Sequence, residues 1–217
     1  VTFRNDDGTV LKSGQVTAGT VPTAPSSTPT KASDGVYRYT FAGWSPSITA
    51  VTGDTTYTAT YTSTVNKYTV TWKNWDGTVL ETDTDVPYNT TPTYNGATPT
   101  RPADTQKTYT FKSWTPAVTN VTDNVTYTAT YTETVRKYTV TFVDEDGTTI
   151  LKAATEYDYG TPAADIVKPA DPTKAATAEF TYTFVGWTPA ITDVTGNVTY
   201  KATYTAEKNK YTLIGDI

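Results

Sequence analysis

The chain has 217 residues, with 17 Lys and Arg against 22 Asp and Glu for a formal net charge of -5, and contains neither Cys nor His. Missing Cys excludes disulfides, thiolate metal sites and a thiol nucleophile, and missing His removes the commonest general base and metal ligand. The acidic balance, with no run of Lys or Arg, argues against a nucleic-acid partner, and no apolar stretch is long enough to insert in a membrane.

About one residue in four is Thr, a β-branched side chain suited to the solvent face of a strand, so a mainly β fold is expected. Tyr (17) and Trp (5) together far outnumber Phe (6), so each small core is expected to rest on large aromatics with a polar edge at its boundary. In chain order, Val1-Thr2-Phe3 lies in a first strand that ends at Asn5-Asp6-Asp7-Gly8, where Gly suits the left-handed position of a type I turn with a bulge. A Pro-rich crossover through Pro22 follows, then a strand at Tyr39-Thr40-Phe41-Ala42-Gly43-Trp44, a turn at Gly53-Asp54, and a last strand through Tyr57 and Tyr61.

The same order then returns twice. Lys67-Tyr68-Thr69-Val70-Thr71-Trp72 and Lys137-Tyr138-Thr139-Val140-Thr141-Phe142 alternate as a sheet with one buried face does, and Asp76-Gly77 and Asp146-Gly147 turn them into second strands near Val79-Leu80 and Ile150-Leu151. Pro92 and Pro162 mark the crossovers, and Pro162 to Ile166 is the best place for a short helical turn. Turns at Asp123-Asn124 and Gly196-Asn197 precede the last strands, ending at Tyr131 and Tyr204. The anchors Trp44, Trp114 and Trp187 are 70 and 73 residues apart, and the three extra residues fall between Pro162 and Pro172. The copies span 1–66, 67–136 and 137–209, with 210–217 as the stub of a fourth copy or an added tail. Val1 falls inside a strand, so a targeting segment is expected outside this stretch.

The combination of Tyr138-Thr139-Val140-Thr141-Phe142, the Asp146-Gly147 turn, Thr183-Phe184-Val185-Gly186-Trp187-Thr188-Pro189 and Val198-Thr199-Tyr200-Lys201-Ala202-Thr203-Tyr204-Thr205 resembles the Listeria-Bacteroides repeat, the internalin-type B repeat of bacterial surface proteins. The resemblance implies three tandem β-grasp-like modules, with first and last strands side by side and parallel, in an extracellular or cell-wall-attached protein, and no catalytic residues. Ser113 departs from it where the other copies have Gly43 and Gly186, which puts close backbone approach there in doubt.

No residue set suggests catalysis, a cofactor or a metal site. Asp144-x-Asp146-Gly147 is too short for a calcium loop and reads as a hairpin turn. Trp44, Trp114 and Trp187 read as packing anchors, whereas Trp75 occupies a turn position held elsewhere by Asp6 and Glu145, and is the candidate partner contact. Thr rows such as Thr126, Thr128 and Thr130 read as a solvated face, and the sequons at Asn89, Asn124 and Asn197 are common by chance in Thr-rich sequence. Lys67, Lys137 and Lys210 stand where an isopeptide lysine could sit, but no buried acidic partner is evident.

Tyr61 and Tyr68, Tyr131 and Tyr138, and Tyr204 and Tyr211 are each seven residues apart, and the first two linkers hold neither Gly nor Pro. Stiff junctions and an end-to-end array of about 40 Å per copy are expected, at about 3.3 Å per strand residue. The leading expectation is a non-catalytic stalk whose partners are its own adjacent repeats. The alternatives are an adhesin module contacting host glycan or protein, and accessory repeats of a secreted enzyme.

Overall fold

The computed structural model describes residues 1–215. It contains three four-stranded sheets, each drawn from one copy, and among the described residues a single 3-10 turn, Ala163–Asp165, as the only helix. That turn lies where Pro162 sets the backbone of the third crossover. The chain divides into two compact units, the first Val1–Pro99 with Ser113–Thr130 and the second Thr100–Lys112 with the chain from Tyr131.

The first unit holds the whole first sheet: β1 (Thr2–Arg4), β2 (Val10–Ser13), β3 (Tyr37–Ser45) and β4 (Thr56–Val65), in the order β2-β1-β4-β3. It also holds β5 (Lys67–Lys73) and β6 (Val79–Pro87) of the second sheet, which continues through β7 (Lys107–Thr115) and β8 (Val125–Val135) in the order β6-β5-β8-β7. The second unit carries the third sheet: β9 (Lys137–Val143), β10 (Ile150–Asp158), β11 (Phe180–Thr188) and β12 (Val198–Lys208), in the order β10-β9-β12-β11.

In all three the first and last strands of the copy are central neighbours and run parallel, while the outer pairs characterised are antiparallel. This is the strand arrangement that the resemblance implies. The alternation of the first strand explains it, because Val70 and Trp72, or Val140 and Phe142, are fully buried while the intervening Thr71 and Thr141 are not. The last strand buries Tyr57 and Ala59, Tyr127 and Ala129, or Tyr200 and Ala202 in the same way. Each such aromatic contributes about 1.5–3 kcal/mol of burial, so these few rings dominate small cores.

Hairpin turns form as the Asp-Gly pairs suggest. Gly8, Gly77 and Gly147 have φ of 89°, 86° and 74°, and each donates its N–H to the carbonyl three residues back.

Other details differ from the sequence reading. The second strand extends well past Leu80, to Pro87, as its counterpart β10 extends to Asp158; in β6 a bulge, with Asp85 at a left-handed φ of 59°, precedes the resumed pairing with β5 at Tyr68. The third and fourth strands are joined by a loop, not a tight turn, and that loop carries a buried valine, Val51, Val121 or Val194. Each valine exchanges two backbone hydrogen bonds with the start of the crossover, for example Gly160 N to Val194 O (2.7 Å) and Val194 N to Thr161 O (2.9 Å).

The glycine before the third-strand Trp serves conformation and not space. A Cβ on Gly43 or Gly186 would meet nothing within 4 Å, but their φ values are 128° and 137° at a bulge, whereas Ser113 is not among the residues of positive φ. All three positions still accept the same bond, from Thr60, Thr130 or Thr203 Oγ1, at 2.8–2.9 Å.

Candidate functional site

The geometry that recurs in all three copies, with no signature in any single copy, lies where one copy passes into the next. Only Asn66 separates β4 from β5, and only Arg136 separates β8 from β9. Each linker residue is bonded to the copy before it and the copy after it.

The acceptors are three successive carbonyls in the turn that precedes the third strand. In the first copy Asp34 builds this turn: its Oδ1 accepts the N–H groups of Val36 (2.8 Å) and Tyr37 (2.6 Å), and its Oδ2 accepts the Tyr39 hydroxyl (2.8 Å). Asp104 repeats the arrangement with Gln106, Lys107 and the Tyr109 hydroxyl. Donation from the Tyr37 amide, then from Tyr39, holds the Asp34 carboxyl below the usual carboxylate range, and donation from Tyr109, then from Lys107 and Gln106, does the same for Asp104. The third copy uses Thr177, whose Oγ1 accepts from Phe180 N at 3.0 Å.

With the turn so fixed, its carbonyls receive the linker. Asp34 O accepts Asn66 Nδ2 (2.6 Å), Gly35 O accepts the Tyr68 hydroxyl (2.8 Å), and Val36 O accepts Asn66 N (2.8 Å). At the next junction Asp104 O accepts Arg136 Nη1 (2.8 Å), Thr105 O accepts the Tyr138 hydroxyl (2.7 Å), and Gln106 O accepts Arg136 N (2.9 Å). The third set is Thr177 O with Asn209 Nδ2 (2.7 Å), Ala178 O with the Tyr211 hydroxyl (2.7 Å), and Glu179 O with Asn209 N (2.9 Å). On the far side, Asn66 O and Arg136 O accept the amides of Tyr88 (2.8 Å) and Tyr159 (2.7 Å), which follow the second strand of the next copy. Adjacent repeats are thus one another's partners within the chain.

The remaining candidates fall in ordinary structural roles or on open surface. Asp146 accepts the amides of Thr148 and Thr149 within its own turn, and Asp144 accepts the Tyr204 hydroxyl at 2.9 Å. Among the described residues no group of three or more Asp, Glu, His or Cys could hold a metal ion. No helix among them is long and apolar enough to cross a membrane.

Trp44, Trp114 and Trp187 are half-buried and meet Phe3, Trp72 and Phe142 edge-on at 4.8–5.0 Å, as anchors do. Trp75 is 38% exposed at its turn, but it is not alone, since Tyr37 (39%) and Tyr211 (76%) are also exposed. Asp6 and Glu145, at the matching turn positions, form ion pairs with Lys31 and Lys174. Asn124 and Asn197 spend their side-chain oxygens on the amides of Thr69 and Thr139, both at 2.8 Å. Lys67, Lys137 and Lys210 are exposed. Past Asn209 the stub forms no strand, and its last two residues, Asp216 and Ile217, lie outside the described ones.

One open groove, of about 510 Å³, lies in the first copy between Leu11, Lys12 and the crossover at Ala24 and Pro25. Copy two places Tyr94 at the position of Ala24, 4.9 Å from Trp114.

No family model matches the chain, and no curated protein does. Among solved structures it is similar to Streptococcal High Identity Repeats in Tandem (SHIRT) domains 3-4 from a cell surface protein, at 18% identity and a TM-score of 0.29, covering 66% of this chain and 99% of that one. The superposition is too loose to carry residue roles across.

Proposed function

We propose that the chain is a run of non-catalytic spacer modules of a bacterial cell-surface or secreted protein, which hold another domain away from its anchorage. The observation that carries the reading is the junction: the same three-carbonyl geometry closes every copy, and at Asn66 and Arg136 a one-residue linker is bonded on both sides. A flexible tether would have no use for it, whereas a spacer gains reach from each module only when its junctions are stiff. The sequence resemblance to the Listeria-Bacteroides repeat supports the surface location.

Small-angle scattering tests this directly. A maximum dimension of about 120 Å is expected, at about 3.3 Å per strand residue and about a dozen residues per copy along the axis. A compact particle would refute it.

A second reading, an adhesin module, is favoured by the exposure of Trp75 at a turn. It predicts binding to a host glycan or protein array that Trp75→Ala abolishes, with the fold retained by circular dichroism. Binding untouched by the substitution would remove Trp75 from consideration.

A further inference from the structure

The two ends of every copy emerge from neighbouring strands that run in the same direction. In the third copy the chain enters at Lys137, at the start of β9, and leaves at Lys208, at the end of β12. Between them the parallel ladder pairs Val140 with Val198, Thr141 with Thr199, Phe142 with Tyr200 and Val143 with Lys201. Tension along the chain draws these strands past each other lengthwise, so all the rungs are loaded at once. A hairpin pulled apart at its open end is loaded one rung at a time. Copies one and two share the geometry, with Thr2 to Arg4 against Thr56 to Thr58 and Val70 to Lys73 against Val125 to Thr128.

Two features reinforce that ladder. The aromatic pair in each copy consists of direct cross-strand partners: Phe3 with Tyr57 (centroids 5.0 Å apart), Trp72 with Tyr127 (4.8 Å) and Phe142 with Tyr200 (5.4 Å). A slip of one residue would turn every buried side chain to the wrong face, so the strands must move two residues, about 6.6 Å, and drag ring past ring. Ahead of the ladder, Asn124 and Asn197 add a rung through their side chains to Thr69 N and Thr139 N.

We infer that each copy is built to bear tension between its two ends, with the central parallel pair as the clamp and Asn124 and Asn197 as its leading rungs. The inference rests on the stalk reading for its use, and the two fail separately: scattering reads shape, whereas pulling reads resistance to force.

The chain has no cysteine, so introduced pairs give unique handles for single-molecule pulling on the whole chain. Lys137→Cys with Lys208→Cys loads β9 and β12 lengthwise. Lys137→Cys with Asp158→Cys, whose positions face each other across β9 and β10, peels that hairpin from its end. All three positions are exposed. The lengthwise pair is expected to rupture at about five times the force of the peeling pair, because the four ladder rungs and the Asn197 rung share the load instead of one rung bearing it. Asn197→Ala is expected to lower the lengthwise force by about a fifth, one rung in five, and to leave the peeling force unchanged. Equal forces in the two directions would overturn the clamp, and an equal loss in both directions would overturn the role of Asn197. The comparison of directions needs no destabilising substitution, so it decides the matter even if Asn197→Ala unfolds the third copy.

Discussion

Tyr68→Phe removes one oxygen atom and with it the 2.8 Å inter-copy hydrogen bond that the hydroxyl donates to Gly35 O, along with the long 3.4 Å contact it accepts from Asn66 Nδ2. The ring is retained, so its contact with the core of the second copy should persist. A typical net hydrogen bond is worth about 0.5–1.5 kcal/mol, and because water can replace the hydroxyl at this exposed carbonyl, about 0.5–1 kcal/mol is the reasonable range. That loss falls on the coupling between copies and not on either core. The amide of Asn66, bonded to Val36 O, reports the junction, and the amide of buried Val70 reports the interior of the sheet. Hydrogen exchange should accelerate about two- to five-fold at Asn66, the Boltzmann factor for that loss, with Val70 unchanged. Acceleration at Val70 with none at Asn66 would mean that the Tyr68 hydroxyl supports the core, and the junction argument would fail.

Acid should discriminate among the junctions. Asp34 and Asp104 have folded pKa values below the ordinary 3.8, so their contribution is present above that value and lost as pH falls through the folded one. The Asn66 and Arg136 amides should then exchange faster below pH 3.8, while Asn209, held by the Thr177 turn, should not, and equal responses at all three would refute this. At the other extreme, burial and then the Asp144 hydrogen bond push the Tyr204 phenol up to about 12. Its contribution is complete below the ordinary 10 and is lost as pH rises through 12, so Tyr204→Phe should flatten the alkaline unfolding of the third copy over that window, followed by circular dichroism. Phe142→Ala, at a site 1% exposed, should cost about 3–5 kcal/mol and lower the urea midpoint of the third copy while leaving the amides of the first sheet protected; a loss under about 1 kcal/mol would contradict the packing.

The strands, the Asp-Gly hairpin turns and the aromatic anchors were legible in the sequence because each depends on side-chain identity at a fixed period. Tyr138, Val140 and Phe142 alternate, Asp146-Gly147 can take the left-handed turn, and Trp187 recurs where a ring closes the core. The extension of β6 and β10 was not legible, because both strands cross register irregularities that interrupt the side-chain alternation by which a strand is read. The junction was half legible. The seven-residue interval from Tyr61 to Tyr68 was visible and pointed to a stiff linker. Its acceptors are main-chain carbonyls of residues as different as Gly35, Thr105 and Ala178, and a carbonyl leaves no mark on composition. Only the recurrence of Tyr68, Tyr138 and Tyr211 could have drawn attention to them. Trp75 stood out for being unlike its counterparts, and the structure adds that those counterparts, Asp6 and Glu145, hold lysines.

The single residue between the strands also fixes a parity. Side chains alternate sides along an extended chain, so adding one residue beside Asn66 would send the Tyr68 ring to the opposite side and leave the Gly35 carbonyl to water. Replacing the linker residue is far gentler, as Arg136 in the place of Asn66 demonstrates. Substitutions at these positions are therefore tolerable where insertions and deletions are not, and the spacing of the tyrosines is a more durable mark of the array than the letters between them.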